Sequence, residues 1–399
     1  MQNYNVHNLR ASKSAKLHKT LKIHTMNQIT ELAASLKHSP MFQLSLSGKE
    51  LFHSNFLAWL AEEYPEFVAT WLGERLGIPA KTVVRVRREA HNFDLLLFVD
   101  NEDTGSVVVL ENKVKSLPEA PQLQAYTEKA HELYGNRAHF LLLSLSDPTS
   151  ILAENNRWNV CRYAEYADAL KKIPARNDYH AALLNDYIFT VGQYCRIQEL
   201  AVSISDNAPL LGSLTQFDPL GESRFDMFAV KVRYERVLQK ICERLNISQT
   251  AALSTQKRAV GDVSAYYGVS GSSRKPLLGI EVVIAAASDT EPMSIGVQVE
   301  GNQFRLFMAM ERGGAALEEQ AHILLEYNHW FSFRESSELQ ALERLWSGDA
   351  QTKDFCGYSQ NGIKNFVYCY KPFSDTLSAE EIINAVVMYM RFAQHQFLQ

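Results

Sequence analysis

No C-x-x-C pair occurs in the chain, and its five cysteines are scattered and odd in number. That pattern signals neither a zinc site nor a disulfide framework, and it fits reduced thiols in a cytoplasmic protein. No run of 18 apolar residues is present, so no membrane span is expected. Positive charge is not in excess either: 40 Lys and Arg against 45 Asp and Glu leave a net charge of −5. Contact with nucleic acid would have to come from a local basic patch. A Walker A loop, a G-x-S-x-G elbow, an H-E-x-x-H helix and a G-x-G-x-x-G turn are all missing. Their absence removes four common catalytic and nucleotide-binding signatures. Acidic residues are lacking from Met1 to Thr30, which carry Arg10, Lys13, Lys16, Lys19 and Lys22 but no apolar signal core. This stretch reads as a solvated basic tail, or as sequence upstream of a start at Met26.

What is present suffices for two domains: 399 residues, 46% hydrophobic and 21% charged. Met26 to Leu36 has the spacing of a short amphipathic helix. After Pro40, GKELFHSNFLAWLAEEYPEFVATWLGERLG predicts two helices broken near Pro65, with Leu51, Phe52, Phe56, Trp59 and Leu60 at helical spacing. The period then changes. TVVRVRRE alternates like a half-exposed strand, while FDLLLFVD and VVVLENKV are apolar runs typical of buried strands. Short connections make these three consecutive and antiparallel. A helix over Leu117 to Tyr134, strands at AHFLLLSLS and WNVCRY, and helices at AEYADALKK and Tyr179 to Ala201 follow. This order predicts an α/β domain with a mixed central sheet flanked by helices.

Pro209, Gly212, Pro219 and Gly221 mark a linker over Ser203 to Ser223. Beyond it an α+β region is expected. Its helices are Phe225 to Leu245, Ala315 to Tyr327 and Ala379 to Phe397; its strands are LLGIEVVIAAA, MSIGVQVEG, QFRLFMAM and NFVYCYKPF. The division is a basic tail and short helix at 1–40, a first domain at 41–202, the linker at 203–223 and a C-terminal domain of unassigned role at 224–399.

Chemistry concentrates between Phe93 and Tyr126. Asp94 opens one apolar strand, and Glu111 and Lys113 close the next, separated by Asn112. Side chains alternate along a strand, so Glu111 and Lys113 share a face, and a tight antiparallel pairing can bring Asp94 alongside. Charges at the ends of buried strands are costly unless paired or bound to metal. Two carboxylates suit Mg²⁺, which takes hard oxygen ligands and keeps several waters, and a lysine suits the charge gathering on a phosphoryl group. A bare D…E-x-K pattern arises readily by chance, and a structural salt bridge is its bland reading. Its place on strand–turn–strand, with a helix directly after, favours the functional one.

FDLLLF, VVVLENKVKS and PQLQAYTEKA, in that order, resemble the core of the PD-(D/E)XK nuclease superfamily, where a helix carrying Q-x-x-x-Y follows the E-x-K strand. Gln122 and Tyr126 match that spacing, one helical turn apart. ELFHSNFLAWL is similar to the first helix of one bacterial branch, in which a helix glutamate supports metal binding. The resemblance spans roughly Lys49 to Tyr166. One departure is Asn92, which stands where the literal motif has proline; that proline is dispensable in much of the superfamily.

The resemblance implies a restriction-endonuclease-like fold and a Mg²⁺- (or Mn²⁺-) dependent nuclease hydrolysing phosphodiester bonds of DNA. Phage defence or genome maintenance is the implied setting, with a homodimer or a defence-system protein as partner. Asp94 and Glu111 would hold the metal with the Asn112 carbonyl and Glu50, Lys113 would be the catalytic cation, and Gln122 and Tyr126 would contact or order substrate. The rival is a catalytically inactive module of the same fold that binds nucleic acid or a protein. Arg85, Arg87 and Lys115, near Arg88 and Lys113, are candidates for phosphate contact against the alternative of a solvated strand face. His53 and Asn55 are weaker candidates beside a core role, Glu50 could serve the helix dipole, and Tyr126 could simply pack. Tyr266-Tyr267-Gly268 and Tyr327-Asn328-His329-Trp330 read as core aromatics rather than base-stacking surfaces.

Overall fold

The computed structural model describes residues 26–48, 50–116, 118, 120–148, 157–223, 225–247, 260–269, 275–284, 293–310, 314–326, 330–331, 333, 345–346, 351–360 and 363–398. The chain divides into two units, Met1–Ser203 with Leu214–Ala229, and Ile204–Ser213 with Val230–Gln399. The basic residues from Arg10 to Lys22, and Tyr327 to His329, lie outside the described residues.

The first unit begins with four helices: α1 (residues 26–37), α2 (Pro40–Gly48), α3 (Glu50–Glu63) and α4 (Pro65–Leu76). Helix α2 was not expected, because Pro40 reads as a break. Proline instead occupies its first position, where no backbone donor is needed, and Ser39 Oγ accepts from the Phe42 N–H at 3.0 Å. Five strands follow: β1 (Val83–Arg88), β2 (Leu95–Val99), β3 (Val107–Lys113), β4 (Ala138–Ser144) and β5 (Trp158–Arg162), in the spatial order β1-β2-β3-β4-β5. The first three pair antiparallel, while β3/β4 and β4/β5 are parallel. This is the expected mixed sheet. Helix α5 (Ala120–Tyr134), the connection to the parallel strand β4, starts three residues later than the sequence suggests. Helices α6 (Tyr163–Leu170) and α7 (Asp178–Ser203) follow β5.

Strand β2 is buried throughout, and β3 is buried from Val107 to Asn112, as apolar runs covered on both faces require. One face packs Leu96, Phe98, Val107 and Val109 against Leu123 and Ala130 of α5. The turn between β2 and β3 fixes how the two strands meet. Asp100 Oδ1 accepts from the N–H groups of Lys81 and Thr82, and Asn101 Oδ1 accepts from those of Asp103 and Thr104. A Cβ on Gly105 would lie 2.0 Å from the Val99 carbonyl oxygen and 2.5 Å from that of Asn101. Gly105→Ala is therefore expected to destabilise the first unit by roughly 1–3 kcal/mol, as overpacking against atoms that cannot yield does. Urea unfolding would check this, and an unchanged midpoint would refute it.

The Ser203 to Ser223 stretch is built into both units rather than left as a linker. Leu210 N–H donates to the Leu377 carbonyl at 2.7 Å within the second unit. Leu214–Ser223 is a 3₁₀ segment of the first, with Phe217 and Leu220 buried. Its few apolar residues are packed, although their spacing is too irregular to show as a period.

In the second unit β6 (Val263–Val269), β7 (Pro276–Ile284), β8 (Met293–Glu300), β9 (Gln303–Met310), β10 (Gln351–Gln360) and β11 (Ile363–Pro372) form an antiparallel sheet of order β10-β11-β9-β8-β7-β6. Helices α8 (Phe225–Leu245, of which Val230 onward belongs to this unit), α9 (Ala315–Glu326) and α10 (Ala379–Phe397) accompany it. The α+β expectation is met, with two extra strands. VSAYYGV and QTKDFCGYSQ carry too few apolar residues in alternation to announce β6 and β10. Tyr266 lies in β6, its ring where a side chain on Gly279 would stand. Among the described residues no helix is long and apolar enough to cross a membrane.

Candidate active site

Antiparallel pairing of β2 and β3 sets Leu95 opposite Leu110. One step further, Asp94 faces Glu111, and opposed residues of such a pair share a face. The Asn112 N–H donates to Asp94 Oδ2 at 2.8 Å, which holds the aspartate to the strand end. Before Asp94 the backbone is strained: Glu89, His91 and Asn92 all have positive φ, at 51°, 60° and 69°. Non-glycine residues adopt this region at a cost and persist there only where neighbours enforce it. Here Phe93 N–H donates to the Ala90 carbonyl, Glu89 N–H donates to the Asp94 carbonyl, and the buried Phe93 ring meets Tyr126 edge-on at 5.3 Å.

Glu111 is 2% exposed. Its Oε1 lies 2.8 Å from Lys113 Nζ and accepts from Gln122 Nε2 at 3.2 Å. Gln122, on the first turn of α5, also accepts from Lys113 Nζ at 2.8 Å and donates to the Tyr126 hydroxyl at 3.0 Å. Glu111 Oε2 is buried with no hydrogen-bond partner, an arrangement that is costly unless something else meets it. Burial, and then the charge of Asp94, pushes the Glu111 carboxyl up to about 7. Burial also raises Asp94, against the opposing effects of the Asn112 N–H and Lys113. Burial alone would lower Lys113, but the Glu111 carboxylate reverses this and the net shift is upward. Burial likewise raises Tyr126.

The structure thus gathers Asp94, Glu111, Lys113, Gln122 and Tyr126 in one place. Residues 74–189 match the family model of the PD-(D/E)XK nuclease superfamily. No curated protein and no solved structure matches the chain. The match covers Asp94 through Tyr126, and the five-stranded mixed sheet flanked by helices is restriction-endonuclease-like.

Other candidates of this unit have different partners, although Glu50 stands near enough for its charge to raise Asp94, Glu111 and Lys113. Asn112 turns its side chain to the opposite sheet face, where Nδ2 lies 3.3 Å from Ser54 Oγ. Glu50 Oε1 accepts from the N–H groups of Lys115 and Ser116 and from Ser116 Oγ. Arg85 and Arg87 both pair with Glu102, and the Arg87 guanidinium lies 5.2 Å from the centre of the Phe98 ring; neither joins the carboxylates. Lys115 Nζ donates to the Ser223 carbonyl at 2.9 Å and sits over the Phe225 ring. Asn55 is exposed. His53 is buried, with Nδ1 3.0 Å from the Tyr187 hydroxyl, and burial, then the charge of Lys115, pushes it down to about 3. The core reading of His53 holds. Cys161, Cys195 and Cys242 are unbridged thiols that burial pushes up to about 12, which leaves them without nucleophilic character. Sequence reasoning missed Ser54, Ser116 and Tyr163; of these only Ser54, one residue past His53 in the recognised helix, carried a signal.

Proposed function

We propose that the first unit is a divalent-cation-dependent nuclease that hydrolyses phosphodiester bonds of DNA. The observation that carries this reading is the pairing of half-buried Asp94 with buried Glu111, whose Oε2 is orphaned. Asp94 raises the proton affinity of the buried Glu111, and burial raises that of Asp94; a cation between them would relieve both. No cluster of three or more His, Cys, Asp and Glu suited to a metal occurs among the described residues. The resemblance to the superfamily implies a donor set of Asp94, Glu111 and the Asn112 carbonyl, with water completing it. Hard oxygens with retained waters suit Mg²⁺ or Mn²⁺ rather than zinc.

When bound, such a cation supplies Lewis acidity at the phosphoryl group and a more acidic water. The chain supplies the rest. The Lys113 ammonium, held by Glu111 and Gln122, would counter the charge growing on the phosphoryl oxygens. Gln122 fixes the lysine and spans to Tyr126, whose protonated hydroxyl can donate to a substrate oxygen. The proposed setting is phage defence or genome maintenance in the cytoplasm, with a second copy or a defence protein as partner.

Plasmid and linear DNA incubated with Mg²⁺ or Mn²⁺ should be cut, and EDTA should stop the reaction. An inert wild type that still binds DNA would favour the inactive binding module instead.

A further inference from the structure

Helix α3 carries polar groups that the proposed chemistry does not use, and they converge on the strand bearing Glu111 and Lys113. Glu50 Oε1 accepts from Lys115 N–H at 3.2 Å, Ser116 N–H at 2.9 Å and Ser116 Oγ at 2.7 Å. The Glu50 carbonyl and Ser54 Oγ lie 3.4 and 3.3 Å from Asn112 Nδ2. Asn112 Oδ1 accepts from the Tyr163 hydroxyl at the start of α6. The Tyr163 ring meets the His53 ring edge-on at 5.7 Å, and His53 Nδ1 lies 3.0 Å from the Tyr187 hydroxyl. Asn112, His53, Ser54, Tyr163 and Tyr187 are all buried.

The residue between Glu111 and Lys113 is therefore gripped by its side chain from the far side of the sheet, and the turn just past Lys113 is gripped by its backbone. A buried network of satisfied groups is rigid, because each lost bond strands a partner. Alternation along the strand then carries any rotation at Asn112 to both neighbours on the opposite face.

We infer that Glu50, His53, Ser54 and Tyr163 are positioning residues: through the Asn112 side chain and the Lys115–Ser116 backbone they set how Glu111 and Lys113 meet Asp94. Glu50 acts here as a hydrogen-bond acceptor, not as a cation ligand. The inference rests on the cation-binding reading of Asp94 and Glu111, while the clamp belongs to the cation-free chain.

Glu50→Gln and Glu50→Ala in the full chain separate the roles, since glutamine keeps the acceptor oxygen and loses the charge. Without cation, the Lys115 and Ser116 amides should exchange hydrogen slowly in wild type and Glu50→Gln, and faster in Glu50→Ala. Mn²⁺ affinity by calorimetry should fall about 10–100-fold in Glu50→Ala and in Tyr163→Phe, as for lost supporting contacts around a metal, and far less in Glu50→Gln. If Glu50→Gln loses as much affinity as Glu50→Ala, the charge matters and Glu50 is a ligand, which overturns the inference. Unchanged exchange and affinity in Glu50→Ala and Tyr163→Phe overturn it as well. A wild type that binds no Mn²⁺ sinks the cation reading instead, and amide exchange still decides the clamp.

Discussion

Asp94→Ala and Glu111→Ala are each expected to slow DNA cleavage by roughly 10³-fold or more, with the double variant no worse than either single one. The two side chains face each other across β2 and β3, and Asp94 raises Glu111 directly. If they share one cation, losing either empties the site, and removing the second changes little. Lys113→Ala should cost roughly 10²–10³-fold, the range for removing one preorganised stabiliser of developing charge. Single-turnover cleavage across a Mn²⁺ titration distinguishes the roles. High Mn²⁺ should partly rescue Asp94→Ala, whose defect is occupancy, and should leave Lys113→Ala slow. Multiplicative losses in the double variant would mean that the carboxylates act independently, and the shared-cation reading would fail.

Much of this arrangement was legible because it is local. Apolar runs at 95–99 and 107–110, joined by a turn rich in Asn, Asp and Gly, determine pairing and register almost unaided. The spacing of Gln122 and Tyr126 follows from helical period. What the residues could not show are contacts between elements far apart in the chain. Arg85 and Arg87 look like a basic stripe until Glu102 is seen to pair with both. Lys115 looks free until its partners arrive from Ser223 and Phe225, more than 100 positions on. Asn112 seemed relevant only for its carbonyl, because nothing near it in sequence indicates that Tyr163 and Ser54 satisfy its amide. Helix α2 and the packed Leu214–Ser223 segment were missed for a different reason. Proline and glycine mark starts and close approaches as readily as they mark breaks.

In the absence of divalent cation, Glu111→Gln is expected to be more stable than wild type at pH 8, and this advantage should shrink as pH falls to 5. Glu111 titrates near 7 in the folded chain against an ordinary value of 4.5. Between those values the folded state holds a proton that the unfolded chain has released, so this group's contribution to stability declines as pH rises. The contribution is on the order of 3 kcal/mol across the window. His53 works the other way. Its proton affinity is depressed by burial to about 3, so it favours the folded state above its ordinary value of 6.5 and loses that benefit as pH falls. The total pH curve mixes the two, whereas the difference between wild type and Glu111→Gln isolates the carboxyl. The same proton must leave when a cation binds. Calorimetry in buffers of different ionisation enthalpy should find close to one proton released per cation at pH 6 and almost none at pH 8. A release independent of pH, or a Glu111→Gln variant less stable than wild type at pH 8, would show that Lys113 already neutralises Glu111 fully. The orphaned carboxylate oxygen would then no longer argue for a metal. If both results come out as expected, wild type retains at neutral pH a charge that destabilises the empty site and whose use is to bind the cation.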